Sequence, residues 1–148
     1  MAVSVPVIGA LLSVTTKLIA ASIGYHLVSR ASLPIYMSIT PAVEEAVRSI
    51  LILQLLKGAN EHTQLKLNVI SLGFWFGVFE MIQKIFWAFV DARGISLYDY
   101  GWMSVAVGAH VVYSLIFLFM FKKFNFLTAL ATTLTVHYFY NFLIVSFT

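Results

Sequence analysis

The sequence predicts an all-α fold, a polytopic membrane bundle of about five transmembrane helices, and three observations lead to it. Of 148 residues, 61% are hydrophobic and 10% charged, and the mean hydropathy is +0.93, a balance too apolar for an ordinary soluble domain. The apolar residues fall in blocks long enough to cross a hydrocarbon core, which takes about 20 residues of helix. The breaks between blocks are short and rich in turn-forming residues, the clearest being Gly58-Ala59-Asn60-Glu61-His62 and Asp91-Ala92-Arg93-Gly94. Residues 1–148 therefore read as a single integral membrane domain, with no low-complexity linker and no convincing internal repeat.

The first expected span is residues 5–28. Met1 to Pro6 lack the positively charged start of a secretory signal, and the apolar run outlasts a signal's hydrophobic region, so the segment is expected to be retained. Ala2 after Met1 gives no myristoylation signal. The second span ends at residue 56 and begins at Pro34 or Pro41. Thr40-Pro41 is a good cap and first-turn pair, and a start there leaves a re-entrant stretch before it, of the kind tolerated where protein or a water-filled cavity receives the backbone. The third, fourth and fifth spans are expected at 67–90, 102–121 and 126–147.

Nine basic and six acidic residues give a net charge of +3 and a pI near 9.3. No basic run suits nucleic acid, so the expected surroundings are membrane lipid. With no cysteine, disulfides, thiolate metal sites and a cysteine nucleophile are excluded. Five spans put Lys57, Lys66, Lys122 and Lys123 on one side with the N-terminus, and Arg30 and Arg93 on the other. The positive-inside rule then sets the N-terminus in the cytoplasm and the C-terminus outside.

Ionisable groups inside such spans are costly, and their default interpretation is functional. The second span carries Glu44, Glu45 and Arg48, the third Glu80, the fourth His110, and the fifth His137 and Asn141. At about 1.5 Å of rise per residue, Glu45, Glu80, His110, His137 and Asn141 all lie roughly 6 to 16 Å below the proposed outer ends. They can therefore surround one cavity open to the outside. Arg48 is spaced to bridge to Glu44 (i,i+4) or Glu45 (i,i+3), leaving the other carboxylate as a free base. Gly73, Gly77, Glu80 and Lys84 share one face, along which close packing would bury Glu80 against a neighbouring helix. Thr133, His137 and Asn141 form one polar stripe. Blander roles exist for each: a register-fixing ion pair at Glu44, Glu45 and Arg48, a Glu80–Lys84 pair, a packing role for His110. His26 and His62 are expected to face water or headgroups. Lys17 either snorkels or neutralises the acidic cluster, and most of the aromatic residues are expected at lipid and interfacial positions.

Glu44-Glu45-x-x-Arg48, Phe76-x-x-x-Glu80 and His137-x-x-x-Asn141, in this order on separate apolar segments, resemble the motifs of a clan of membrane peptidases. The clan includes the CAAX prenyl endopeptidases (the CPBP-like group), bacteriocin-immunity-type proteases and the PrsW-type proteases, and the order is most similar to the PrsW-type branch, which has EExxK, FxxxE and HxxxD. Arginine stands for lysine at 48 and asparagine for aspartate at 141, and the chain is short for the clan. The resemblance implies a membrane-embedded protease acting on membrane proteins or membrane-proximal peptides. Its expected mechanism has Glu44 or Glu45, with a histidine, deprotonating a water, Glu80 holding that water or orienting a histidine, and His137 and Asn141 stabilising the oxyanion. No cofactor is expected on that mechanism. The alternative is a zinc enzyme with Glu80, His110 and His137 as ligands. A non-enzymatic transporter or scaffold of the same fold is the remaining alternative, since the gamma-secretase scaffold subunit is held to be related to this clan.

Overall fold

The computed structural model describes residues 33–58, 61–90 and 94–147, and these form four α-helices and no strand. They are α1 (Leu33–Gly58), α2 (His62–Val90), α3 (Leu97–Lys123) and α4 (Phe126–Phe147). The expected span at 5–28, with Lys17 and His26, lies outside the described residues, as do Arg30 and Arg93. Helix α1 runs without interruption through Pro41, so the start is nearer the Pro34 alternative and the stretch just before Pro41 is helical. A proline in mid-helix removes one backbone hydrogen bond, a loss that helices packed among neighbours can absorb.

The helices overrun the apolar blocks: α2 starts at His62 rather than at 67, and α3 starts at Leu97 rather than at 102. Hydropathy marks where a segment is apolar, whereas a helix continues through polar turns until a cap or breaker stops it. Asn125 is such a cap, accepting the Thr128 N–H at 2.9 Å to open α4. Lys122 and Lys123 end α3 with charges suited to the negative end of its dipole.

Two helices contain segments long and apolar enough to cross a membrane, His62–Phe86 in α2 and Tyr100–Lys123 in α3. The five expected spans are not all supported. Glu44, Glu45 and Arg48 lower the apolarity of α1, and the threonines, His137 and Asn141 lower that of α4.

Successive helices run antiparallel. Gly73 lies against His110 and Val111, Gly77 against Val107, and His62 at the start of α2 accepts a hydrogen bond from Lys122 at the end of α3. Helix α3 is central, packing most extensively on α2 and then on α4, while α1 leans mainly on α4. One half of the interior is an apolar cluster built from Ile52, Leu55, Leu65, Val69, Leu72, Phe76, Phe117, Leu118 and Ala129. That half adjoins the end bearing Lys57, His62, Lys66, Lys122 and Lys123. The other half, one or two turns further along each helix, is polar: Glu44, Glu45, Arg48, Ser49, His110 and His137 are buried there. The outer surface is the reverse, with Phe89 82% and Leu127 74% exposed.

The expected face of Gly73, Gly77, Glu80 and Lys84 is a real contact surface. A Cβ at Gly73 would meet the His110 carbonyl oxygen and the Val111 Cα at 2.7 Å, and one at Gly77 would strike the Val107 Cα. These are backbone atoms, which cannot swing aside, so α2 and α3 touch only because both positions lack a side chain. Gly77→Val is therefore expected to cost about 1–3 kcal/mol or more through forced separation of the helices. Gly108→Ala, where nothing lies within 4 Å, should be neutral or stabilising by up to about 1 kcal/mol. Thermal unfolding of the two variants in detergent checks the contrast, and equal midpoints would contradict the close approach.

Candidate functional site

Each helix brings its ionisable residues to the same level of the bundle, and Arg48 sits where they meet. Its position on α1, one turn before the apolar Ile52, buries the guanidinium completely. A buried guanidinium is costly unless acceptors meet its charge; Nη1 and Nη2 have them here, and Nε has none. Nη1 donates to Glu45 Oε1 at 2.5 Å, and Nη2 donates to His110 Nδ1 on α3. The cation also lies 5.0 Å from the Phe76 ring centroid and 5.5 Å from that of Tyr113, distances suited to cation–π attraction.

The contacts beyond Arg48 continue in both directions. His110 Nε2 bonds Glu80 Oε2 on α2, and Glu80 Oε1 pairs with Lys84 Nζ at 2.7 Å near the surface. On the other side, His137 Nδ1 on α4 bonds Glu45 Oε1 at 2.7 Å. Its other nitrogen, Nε2, lies 3.9 Å from Glu44 Oε2. Glu44, Glu80 and His110 also form a group whose possible ligand atoms all lie within 4.8 Å of one another.

These contacts fix a tautomer. A guanidinium has only N–H donors and stays protonated, so His110 Nδ1 must present its lone pair to Arg48. The ring proton is then on Nε2, where it is donated to Glu80. His137 is differently placed. Its Nδ1–H serves Glu45, and Nε2 faces the second carboxylate of the pair.

The structure thus brings Glu44, Glu45, Arg48, Glu80, His110 and His137 into one cluster drawn from all four helices. Of the pair, Glu45 is the partner of Arg48. The Glu80–Lys84 pair expected from spacing exists, and Glu80 at the same time bonds His110. Asn141 is half-buried one turn beyond His137 and lies outside the network of bonds just described. His62 is exposed at the lysine-bearing end, as expected. The metal-competent grouping has Glu44 where the sequence suggested His137. Two residues were missed: Tyr113 stacks on His137, with ring centroids 4.7 Å apart and planes 22° apart, and Tyr140 meets Tyr113 edge-on at 6.1 Å. The available signal was spacing, since each follows a cluster histidine by three residues and so shares its helix face.

Removing Arg48 leaves Glu45 buried beside an unsatisfied His110 nitrogen, so Arg48→Met is expected to cost about 3–5 kcal/mol. The Arg48→Met/Glu45→Gln double variant should recover part of that loss, because the stranded charge goes too. Unfolding curves of the three proteins decide it, and simple additivity would mean that the two side chains are not coupled. The tautomer has its own test: ¹⁵N spectra of histidine-labelled protein should show His110 protonated at Nε2 and bare at Nδ1 at neutral pH. A protonated Nδ1 on His110 would contradict the Arg48 contact.

No protein-family model matches this chain, nor does any curated protein or solved structure.

Proposed function

We propose that the protein is a multi-pass membrane protein whose buried cluster hydrolyses peptide bonds, acting on membrane proteins or their membrane-proximal segments. The membrane setting is supported by the inverted polarity of the bundle, with ionisable groups inside and large apolar side chains outside, and by the two segments apolar enough to cross. The end bearing Lys57, Lys66, Lys122 and Lys123 is assigned to the cytoplasm and the cluster to the outer half. The protease assignment draws on the resemblance of the ordered motifs to the PrsW-type branch.

One observation carries the chemistry: Glu44 Oε2 and His137 Nε2 face each other at 3.9 Å. That separation is too long for a direct hydrogen bond and short enough for one water to touch both groups. Glu45 Oε1 accepts from Arg48 and from His137, so it serves as the orienting carboxylate and Glu44 as the base. Glu44 takes a proton from the water as its oxygen attacks the scissile carbonyl carbon. The carbonyl π electrons move onto oxygen, which takes a hydrogen bond from the Asn141 amide. The proton then passes to the amide nitrogen, the C–N bond breaks, and a carboxylate and an amine leave. Glu80, bonded to His110, fixes that ring.

A zinc-dependent hydrolase is the second alternative, favoured by the proximity of Glu44, Glu80 and His110. Arg48 works against it. Zinc on His110 Nε2 needs the lone pair there, which moves the ring proton to Nδ1 and points it at an Arg48 N–H.

The test is cleavage of a fluorogenic peptide library by purified protein in lipid nanodiscs. Glu44→Gln should lower kcat by roughly 100-fold or more, and wild-type cleavage should survive exhaustive chelation with metal content verified by mass spectrometry. Activity abolished by chelation and restored by stoichiometric zinc would establish the metal alternative. Equal rates for wild type and Glu44→Gln would remove Glu44 from the chemistry and favour a scaffold or transporter.

A further inference from the structure

We propose that the hydroxyls of Tyr113 and Tyr140 join the Asn141 amide as hydrogen-bond donors to the substrate's peptide carbonyl oxygen. This rests on the hydrolase assignment above and adds to it the groups that bind the reacting bond. Both hydroxyls are buried and have no hydrogen-bond partner. Buried polar groups in folded proteins are nearly always paired, yet Glu45 Oε2, Arg48 Nε and Ser49 Oγ share this state with the two hydroxyls, and the tyrosines are the two neutral O–H donors among them carried on rings packed against the cluster histidines.

Tyr113 is 2% exposed, and its ring is held on one side by the Arg48 cation and on another by His137. Four rings form a box across the antiparallel α3 and α4: His110 to Tyr113 at 5.7 Å, His110 to His137 at 5.6 Å, Tyr113 to His137 at 4.7 Å and Tyr113 to Tyr140 at 6.1 Å. Packing of this kind is satisfied equally well by phenylalanine, so the hydroxyls add nothing to the fold and cost desolvation. Among the described groups of the cluster, Arg48 Nη1 and Nη2 and the His110 N–H are committed to Glu45, His110 and Glu80, and the Arg48 Nε–H, buried without a partner, belongs to a cation already paired with Glu45. Two neutral, unengaged O–H groups on rings packed against the cluster imidazoles are what a carbonyl oxygen gaining negative charge requires, because they need no reorganisation as the charge develops. The ligand chemistry they select is an acceptor oxygen without a proton of its own, as in a peptide or ester carbonyl.

The experiment compares wild type, Glu44→Gln, Tyr113→Phe, Tyr140→Phe and the double Phe variant in nanodiscs, measuring kcat, KM and the thermal midpoint. Each single Phe variant should lose roughly 10- to 100-fold in kcat with KM within about twofold, and the double variant more. The midpoints should be unchanged or higher, since an unpaired buried hydroxyl has been removed. A loss of activity that tracks a loss of stability would make the tyrosines structural and overturn the proposal. Wild-type kcat in both Phe variants, with Glu44→Gln inactive, overturns it while leaving the hydrolase assignment standing. No cleavage by wild type above Glu44→Gln overturns both.

Discussion

A fully buried guanidinium is the constraint around which the rest of this protein is arranged. Arg48 is wholly buried, so its charge must be met within the bundle, and Nη1 and Nη2 find acceptors there although Nε has none. It takes one acceptor from its own helix, Glu45, and one from α3, His110. Each acceptor carries the contact on to a further helix. His110 calls on Glu80 of α2, and Glu45 accepts from His137 of α4. One buried cation thereby ties together all four helices by bonds that are directional, where apolar packing alone would allow a helix to rotate or slide. The aromatic rings of Phe76 and Tyr113 close the remaining sides of the cation, at less desolvation cost than further carboxylates would carry.

This arrangement requires α2 and α3 to approach until their backbones touch, because Glu80 reaches His110 only across a narrow gap. Gly73 and Gly77 permit it. The apolar cluster from Ile52 to Ala129 fills the neighbouring half of the interior, so that dispersion and shape set the helix spacing there while the ionic half sets the register. The two halves are successive turns of the same helices.

Much of this was legible in the sequence, and the reasons are physical. Apolar block length reported α2 and α3, whose segments His62–Phe86 and Tyr100–Lys123 are long and apolar enough to cross a membrane. Arg48 at i+3 from Glu45, Gly73 and Gly77 on the Glu80 face, and the Glu80–Lys84 pair are local consequences of helical geometry, and local geometry follows from spacing. The convergence of Glu45, Glu80, His110 and His137 was legible from depth, since buried ionisable groups have few partners except one another. Other features depend on tertiary contacts that spacing does not encode. Which carboxylate Arg48 takes is settled by where α3 presents His110. Tyr113 was assigned with the other aromatic residues to lipid and interface, yet the antiparallel pairing of α3 and α4 sets it against His137. Helix ends were misplaced at His62 and Leu97 because polar turns extend a helix past its apolar block.

The position of Arg48 also bears on what the cluster can do. A guanidinium does not release its proton, so no proton crosses the cluster through Arg48. The network is split into a Glu80–His110 half, which reaches the surface at Lys84, and a Glu45–His137 half. Lys84 is 47% exposed while Glu80 is 18% exposed, so the first half grades from solvent-facing to buried. Glu44 approaches both halves, lying 3.9 Å from His137 Nε2 and grouped with Glu80 and His110 within 4.8 Å. A transporter's proton relay needs a continuous chain of groups that both gain and lose protons, and Arg48 cannot be a link in one. Local proton exchange at Glu44, between a water on one side and an imidazole on the other, needs no such chain. Such exchange keeps the proton within a few ångströms of where it was taken, which is all that the hydrolysis proposed above asks of the cluster.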